Sequence, residues 1–573
     1  MKFMKLGTRS DTFYTEQATR SLVSDIPPDL VIKTNDTTYL IHKSPLVSKC
    51  GLLQRLCSDT NDSKSVPLEL NDMPGGSEAF ELCAKFCYGV SINISAHNIV
   101  PSLCAAKLLQ MNESIERGNF VGKLEAFFSS CILEGWKDSI ATLQATEKLP
   151  EWSENLGIIR KCIDSIVEKV LTPLSQVKWS YTYTRPGYNR KEHHSVPKDW
   201  WTEDISILNI DLFRCIIMTI RSAHVLPPQL IGESLHVYAC KWLPCIIKVK
   251  SSGSSVSQTE ESREKDRKIL ETIVSMIPAD RGSVSVGFLL RLLSISSHLG
   301  VSSVTKTELI KRGSIQFHEA AVSDLNSYDV ELVQVVLESF LKFWKRIYPG
   351  SVDNRNYLLR SIRKVGKLVD TYLQMVARDD DMPVSKFAAL AETVPAIGRL
   401  EHDDLYQAIN IYLKVHTDLS KAEKKRLCGI LECQRLSPEV RVHAVKNEFL
   451  PLRTVVQLLY YEQEKDSKET SSTKLQKQHE LLLGAKERPA TRDSHGKREE
   501  ITRRTSLAES REKGQHKTKR LDDKLCLDFE KKMVIRGVKE ESIPGSMLNL
   551  DHKEMLIGRT RSYKSEYGSE KRR

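Results

Sequence analysis

Few residues in this sequence have the types and spacing that catalysis or metal binding requires. The pair His193-His194 offers imidazole ligands or a general base, but it lies in a polar stretch without a spaced partner, which favours a solvated loop. The run Asp379-Asp380-Asp381 offers oxygen ligands for a divalent cation, yet it precedes Met382-Pro383, which favours a charged loop. A Gly-x-Ser-x-Gly elbow, a phosphate-binding P-loop and a His-Glu-x-x-His helix are absent from the sequence. We therefore predict a chain without catalytic, metal-binding or cofactor-binding residues.

Composition and charge narrow the class of protein. The 573 residues include 40% hydrophobic and 28% charged side chains, which is typical of a folded protein with several domains. No run approaches the ~18 apolar residues that span a bilayer. The start, Met1–Thr8, is charged without a following apolar region, which predicts an intracellular, cytoplasmic chain.

The net positive charge is concentrated at the C-terminal end. Lys plus Arg (85) exceed Asp plus Glu (74) by 11, and residues 464–573 hold 28 basic and 20 acidic residues, an excess of 8. The rest of the chain is therefore nearly neutral. Nucleic-acid binding needs a clustered basic face, so we predict no nucleic-acid partner.

The thirteen cysteines are interpreted as free thiols. Their number is odd, no Cys-x-x-Cys occurs, and cytoplasmic thiols stay reduced. Cys83 and Cys87 lie four residues apart on one face of a predicted helix, where small apolar packing explains both. This packing is a better explanation than a zinc site, because the spacing and the lack of nearby paired histidines do not suit zinc.

Hydrophobic periodicity predicts an α+β module, a helical body and a polar tail. The α+β module begins with a hairpin, Asp29–Lys33 and Thr38–His42, and includes a helix capped by Ser77 that extends through Tyr88. The predicted organisation is an N-terminal extension 1–25, an α+β module 26–111, a helical extension 112–180, a linker 181–198, an all-helical domain 199–463 and a largely disordered basic tail 464–573.

The α+β module contains five motifs that occur together in a known family. In chain order they are Asp29-Leu30-Val31, Leu40–Leu46, Ala79–Leu82, Asn98-Ile99-Val100 and Ala105–Met111. With these motifs in this order, the module resembles a BTB/POZ domain. The fold class expected from the sequence is therefore an α+β N-terminal BTB/POZ domain, a mainly α-helical domain and a largely disordered basic C-terminal tail.

The helical body contains a second series of motifs. They are Trp200–Asp204, Leu226–Pro228, Lys241–Pro244, Gly282–Ser285, Gly287–Leu293, Tyr328–Val333, Leu427-Cys428, Leu431–Ser437, His443-Ala444 and Leu450–Gln457. With these motifs the helical body is similar to the plant nonphototropic-hypocotyl family, and the start Met1–Gly7 also resembles that family. The resemblance covers about residues 1–463. Asn410 and Glu432 depart from the family, in which Asp is commoner at both positions.

This resemblance implies a non-catalytic, substrate-specific adaptor of a cullin-3 RING ubiquitin ligase. The BTB/POZ domain would bind cullin-3, and the helical domain would recruit the target protein for ubiquitination. In the family fold, cullin contacts come from the region Met73–Tyr88 and the helices after Met111; Met73 and Phe80 are the predicted contacts, with core packing as their alternative. The domain also implies a homodimer, or a hetero-oligomer with related BTB proteins, formed through about Asp25–Leu56.

A second function remains open at this point. A signalling scaffold at the plasma membrane, in plant light or auxin responses, would have the same fold and link a membrane kinase to downstream partners without ligase activity. A transcriptional BTB protein is disfavoured, because no zinc fingers follow the module.

The tail contains candidate regulatory residues. Ser506 and Ser562 each follow two arginines, a pattern read by basophilic kinases, and some relatives recruit 14-3-3-type readers after C-terminal phosphorylation. Neither serine has a proline two residues later, and unmodified charge is the alternative. The resemblance adds Tyr461 as a third candidate phosphorylation site. Residues 525–536 are interpreted as a transient helix, with peripheral attachment to an anionic plasma membrane as the alternative.

Overall fold

The computed structural model describes residues 1–463, apart from 17, 36, 60–66, 186–187, 189–194, 245–258, 326–327 and 348–351. The sequence interpretations of His193-His194, Ser506, Ser562 and residues 464–573 lie outside these described residues. Within them, an N-terminal α+β domain is followed by helices alone, so the predicted fold class is confirmed there.

In the described residues of the N-terminal part, seven short strands form two sheets. The strands are β1 Phe3–Leu6, β2 Phe13–Glu16, β3 Thr19–Leu22, β4 Leu30–Thr34, β5 Thr37–Ile41, β6 Leu68–Glu69 and β7 Ile92–Ser95. In the larger sheet the order is β2-β3-β5-β4-β6. The strands β4 and β5 are antiparallel and in register from Leu30↔Ile41 to Thr34↔Thr37, which confirms the predicted hairpin. In the smaller sheet β1 pairs antiparallel with β7.

In the described residues of the N-terminal part, four helices share a buried core with the larger sheet. The third of them buries Phe80 against Tyr39 of β5, with ring centroids 4.8 Å apart. Ala79, Cys83 and Cys87, which lie at four-residue steps along that helix, are also buried, as the apolar period of the helix predicts. The helices are α1 Lys43–Val47, α2 Gly51–Asp59, α3 Gly76–Tyr88 and α4 Ile99–Leu108.

The predicted cap of α3 is wrong by two residues. The helix begins at Gly76, and Gly75 with φ 82° occupies the N-cap instead of Ser77. A side chain at Gly75 would place its Cβ 2.5 Å from the Cβ of Pro101. The left-handed backbone and this close approach both require glycine, and they outweigh the capping preference of serine.

The helical extension continues the N-terminal core. Its helices carry the apolar residues that the sequence places at three- and four-residue steps, among them Leu124, Phe128, Trp136 and Ile140, all buried. A short π-helical turn, Phe128–Ile132, follows the first of these helices. They are α5 Phe120–Phe127, α6 Trp136–Ala145, α7 Pro150–Asn155 and α8 Ile158–Leu171.

The described part of residues 199–463 contains helices and no strand, as predicted. Side-chain caps begin several of these helices, for example Asn209, Thr259, Ser285 and Ser420. The helices are α9 Thr202–Ile205, α10 Ile210–Ser222, α11 Pro228–Trp242, α12 Glu260–Met276, α13 Val286–Leu299, α14 Ser303–Ile315, α15 Val330–Ile347, α16 Val352–Val376, α17 Val384–Thr393, α18 Asp403–Val415, α19 Lys421–Gly429, α20 Pro438–Val445 and α21, residues 452–463.

An aromatic cluster joins the two helical regions across the segment predicted as a linker. Trp200 lies against Trp136, Trp179 and Tyr181, with ring centroids 4.6, 5.6 and 5.6 Å apart. Asp204 accepts hydrogen bonds from Trp136 Nε1 at 2.7 Å and from the backbone N of Thr182 at 3.1 Å. We call these residues the junction cluster. Its contacts make the core of the N-terminal part continuous with that of the helical body.

Arg185 adds two ion pairs next to the junction cluster. Its guanidinium lies 2.6 Å from Asp199 Oδ2 and 2.7 Å from Glu233 Oε1 of α11, and its side chain is 14% exposed. Glu203 accepts hydrogen bonds from the backbone N of Thr184. The beginning of the predicted linker, Tyr181–Arg185, is therefore held on the helical body by specific contacts.

A buried histidine makes the stability of the helical body dependent on pH. His402 is 3% exposed, its Nδ1 accepts a hydrogen bond from the backbone N of Glu432, and its Nε2 has no partner among the described residues. Burial, together with the nearby charge of Arg399, lowers the pKa of His402 from 6.5 to about 4. Between about pH 4 and pH 6.5, His402 is therefore neutral in the folded chain and protonated in the unfolded chain.

We predict that His402→Gln flattens this pH dependence. A lowered folded-state pKa gives stability that is complete above pH 6.5 and is lost as the pH falls towards 4, at about 1.4 kcal/mol per unit. As the pH falls from 6.5 towards 4, the unfolding free energy of the wild type should therefore decrease more than that of the variant. Urea unfolding at pH 4.5–7.5 measures it, with exposed His97→Gln as the control. Parallel pH profiles for wild type and His402→Gln would contradict the assignment.

Candidate interaction surfaces

The acidic run Asp379-Asp380-Asp381 forms a charged loop between α16 and α17. Its carboxylate oxygens lie within 4.8 Å of one another, close enough to share a cation, but two of the three residues are exposed. The backbone N of Asp381 donates to Asp379 Oδ1, so part of the negative charge is compensated within the loop. The charged-loop interpretation therefore stays a prediction.

The described cysteines are free thiols, and most are packed in cores. Cys83 and Cys87 are buried, and Cys50 Sγ lies 3.7 Å from Cys87 Sγ. Burial raises the pKa of the Cys83 thiol well above its usual value, which keeps it protonated and unreactive. The packing interpretation of this pair is confirmed.

The two residues predicted to contact cullin are core residues. Met73 is 5% exposed and Phe80 is 0% exposed, packed on Tyr39. Neither side chain is available to a partner. The prediction that these side chains contact cullin is therefore corrected: both pack in the core, which was the alternative. The amphipathic period of α3 already placed Phe80 on the buried side. In the same region, the exposed side chains are those of Asn71, Asp72 and Glu78.

Apolar side chains are exposed along the first 26 residues. The strand β2 is an edge of the larger sheet, and β1 pairs only with β7 among the described strands. An edge strand and exposed apolar residues together are typical of a surface that pairs with another chain. The exposed apolar residues are Met1 at 68%, Phe3 at 70%, Tyr14 at 45%, Val23 at 66% and Ile26 at 67%.

Tyr461 is partly buried near the end of α21. Its Oη accepts a hydrogen bond from Gln434 Nε2 at 2.7 Å. The adjacent Tyr460 is 63% exposed. The phenol of Tyr460 is thus more accessible to a kinase than that of Tyr461, the residue predicted from the sequence.

The outer side of α21 exposes a row of apolar side chains. Leu452, Val456 and Leu459 follow one another at four- and three-residue steps, and Tyr460 lies four residues after Val456, which places all four on one face of the helix. Leu458 on the opposite side is fully buried. We call these four exposed residues the C-terminal face. Sequence analysis missed this face, although its helical spacing was visible in Leu450–Gln457.

The fold and these surfaces define a class of protein: a BTB-type domain fused to a helical domain, with surfaces suited to protein partners. In the described residues, no helix has the length and apolarity needed to cross a membrane. Residues 21–119 match the BTB/POZ domain and residues 199–440 match the NPH3 family.

Curated relatives from Arabidopsis thaliana extend the match over most of the chain. BTB/POZ domain-containing protein At5g47800 is 56% identical over 560 residues, covering 94% of this chain and 98% of the relative. The phototropic-responsive NPH3 family protein NPY1 is 40% identical over 481 residues, covering 81% and 82%. Root phototropism protein 3 is 35% identical over 584 residues, covering 82% and 78%. The chain belongs to the NPH3 family of BTB/POZ proteins. No solved structure matches it.

Proposed function

We propose that this chain is a substrate-specific adaptor of a cullin-3 RING ubiquitin ligase. The observation that carries the proposal is the fusion, in one chain, of a BTB/POZ domain at 21–119 to an NPH3-family domain at 199–440. A BTB-type domain is suited to a cullin-type partner, and the second domain supplies a separate surface for a target. Bond formation then resides in the ligase, and the adaptor acts by raising the local concentration of the target beside it.

The proposed cullin surface is the exposed rim around the buried Met73 and Phe80. Asn71 and Asp72 lie in the loop before α3, and Glu78 lies in its first turn. This rim is acidic, so it would favour a basic patch on the cullin. Such rim charges govern association rate and specificity more than the total buried area does.

We predict that Asp72→Arg weakens binding of the full chain to an N-terminal fragment of cullin-3 about tenfold, because it reverses a charge at the proposed rim. Isothermal titration calorimetry measures the change. Asp418→Arg makes the same substitution at an exposed position in the helical body and should leave the affinity unchanged. Equal affinities of wild type and Asp72→Arg would remove the acidic rim from the cullin surface.

We also propose self-association, as a homodimer or with related BTB proteins, through the N-terminal apolar residues and the segment Asp25–Leu56. Phe3 is 70% exposed on β1, so Phe3→Asp should leave the fold intact while shifting the chain towards monomer at least tenfold in dissociation constant. Light scattering after size exclusion measures the mass. Exposed Val304→Asp, in the helical body, is the control. A Phe3→Asp variant that remains as associated as wild type would contradict this interface.

The ligase proposal is tested by ubiquitin transfer in a reconstituted reaction. With E1, an E2 and the cullin-3 RING core, we expect ubiquitin to be attached to the complex that contains the adaptor, and we expect attachment to fall with Asp72→Arg.

The second proposed function is a signalling scaffold at the plasma membrane, in light or auxin responses, without ligase activity. The names of the relatives NPY1 and Root phototropism protein 3 refer to phototropism and so support a role in light responses. A scaffold would bind its membrane kinase, carry phosphate at Ser506, Ser562 or Tyr461 and recruit 14-3-3-type readers without any transfer. Absence of transfer, with the full chain folded, would favour the scaffold.

A further inference from the structure

The C-terminal face is an apolar surface that nothing in the described part of the chain covers. Leu452 is 79% exposed, Val456 56% and Leu459 43%, although helices at the end of a helical array normally turn a polar side outward. The inner side of α21 is firmly attached, because Leu458 is fully buried and Tyr461 is hydrogen-bonded to Gln434. The exposed row is therefore a fixed feature of the surface.

We propose that residues 475–483 of the same chain pack on the C-terminal face. The chain continues from α21 directly into residue 464, and 110 residues follow to the C-terminus. The eleven residues 464–474 can extend about 35–40 Å, whereas the twelve residues of α21 are only about 18 Å long. Residues 475–483 can therefore reach any point along this face.

The composition of the segment suits the face. Leu475, Leu481, Leu482 and Leu483 are grouped in an otherwise polar stretch, and Ser472 before them and Gly484 after them are helix start and stop residues. Leu475 and Leu482 are seven residues apart, the spacing of one helix face. Glu480 is the single carboxylate among residues 475–483, so the segment carries little negative charge.

The short connection favours this segment over a second copy of the chain. A tether of eleven residues gives an effective concentration in the millimolar range, well above the concentration of free chains in a dilute solution. The more distant apolar residues Leu525 and Leu527 share their stretch with four acidic residues, Asp522, Asp523, Asp528 and Glu530. Leu525 and Leu527 therefore serve as the matched control for Leu481, Leu482 and Leu483.

Site-specific photocrosslinking in the full chain tests the proposal. Benzoylphenylalanine replaces Val456, which is 56% exposed, and equal amounts of ¹⁵N-labelled and unlabelled chain are irradiated together. We expect the main crosslinked peptide to contain residues 475–483 and to join two labelled or two unlabelled segments. Crosslinks that mix the labels, crosslinks to residues 525–536, or no crosslink would each overturn the proposal.

Two variants make the result specific. Replacing Leu481, Leu482 and Leu483 together by serine should reduce the crosslink at least tenfold. Replacing Leu525 and Leu527 by serine should leave it unchanged. Because these substitutions lie outside the described core, both variants should keep the folded helical body, as circular dichroism would show. A crosslink that survives the triple substitution would also overturn the proposal.

Discussion

Asp370→Ala is expected to lower the free energy of unfolding by about 3–5 kcal/mol, because it leaves the guanidinium of Arg399 buried without its counter-ion. Both side chains are 4% exposed. The Nε and Nη2 of Arg399 donate to the Asp370 carboxylate at 2.7–3.0 Å, and its Nη1 donates to the carbonyl O of Ala391 at 2.7 Å. The pair connects α16 to the segment between α17 and α18, so its loss should loosen the centre of the helical body.

Burial raises the pKa of Asp370, while Arg399 opposes this shift and keeps the carboxylate paired. The matched control is Glu392→Ala, which breaks the exposed pair with Arg426, where the side chains are 47% and 48% exposed. An exposed pair contributes about 0–1 kcal/mol. Urea unfolding suits this comparison, since guanidinium salts would screen both pairs. A loss for Asp370→Ala no larger than that for Glu392→Ala would contradict the buried-pair account.

Asp204→Ala is expected to cost about 2–5 kcal/mol and to weaken the attachment of the N-terminal part to the helical body. The substitution leaves the indole N–H of Trp136 and the backbone N–H of Thr182 without their acceptor. Trp136 is 1% exposed, so its donor stays buried, and each buried unsatisfied group costs about 1–3 kcal/mol. Hydrogen exchange of amides 177–185, followed by mass spectrometry, should be faster in the variant.

Asp204→Asn retains one acceptor oxygen and should lose less than Asp204→Ala. Asp211→Ala is the matched control, because Asp211 is 64% exposed and its ion pair among the described residues is with the exposed Lys268. If Asp204→Ala and Asp211→Ala shared the same unfolding free energy, the junction cluster would not hold the two parts together.

Local sequence patterns predicted those elements that pack through their own periodicity. The hairpin β4–β5 and the apolar face of α3 are examples, since adjacent residues decide both. The strands β1–β3 were missed within the predicted N-terminal extension. They are only four residues long, and β1 and β3 pair with more distant strands, β7 and β5.

The functional surfaces were harder to predict because they depend on residues far apart in the chain. Trp136 and Asp204 are 68 positions apart, and no local pattern indicates that they meet. Met73 and Phe80 were taken as contacts from a family resemblance, whereas the packing of Phe80 on Tyr39 buries the side chain. A resemblance locates a surface in the chain, but the burial of each side chain depends on the whole fold.

Direct binding of the full chain to an N-terminal fragment of cullin-3 is the measurement closest to the central claim. We predict a one-to-one complex per BTB/POZ domain with a Kd below about 10 μM by isothermal titration calorimetry. The complex should form without nucleotide or metal, because the chain is proposed to act by binding alone. No detectable binding at about 50 μM of folded chain would contradict the adaptor function.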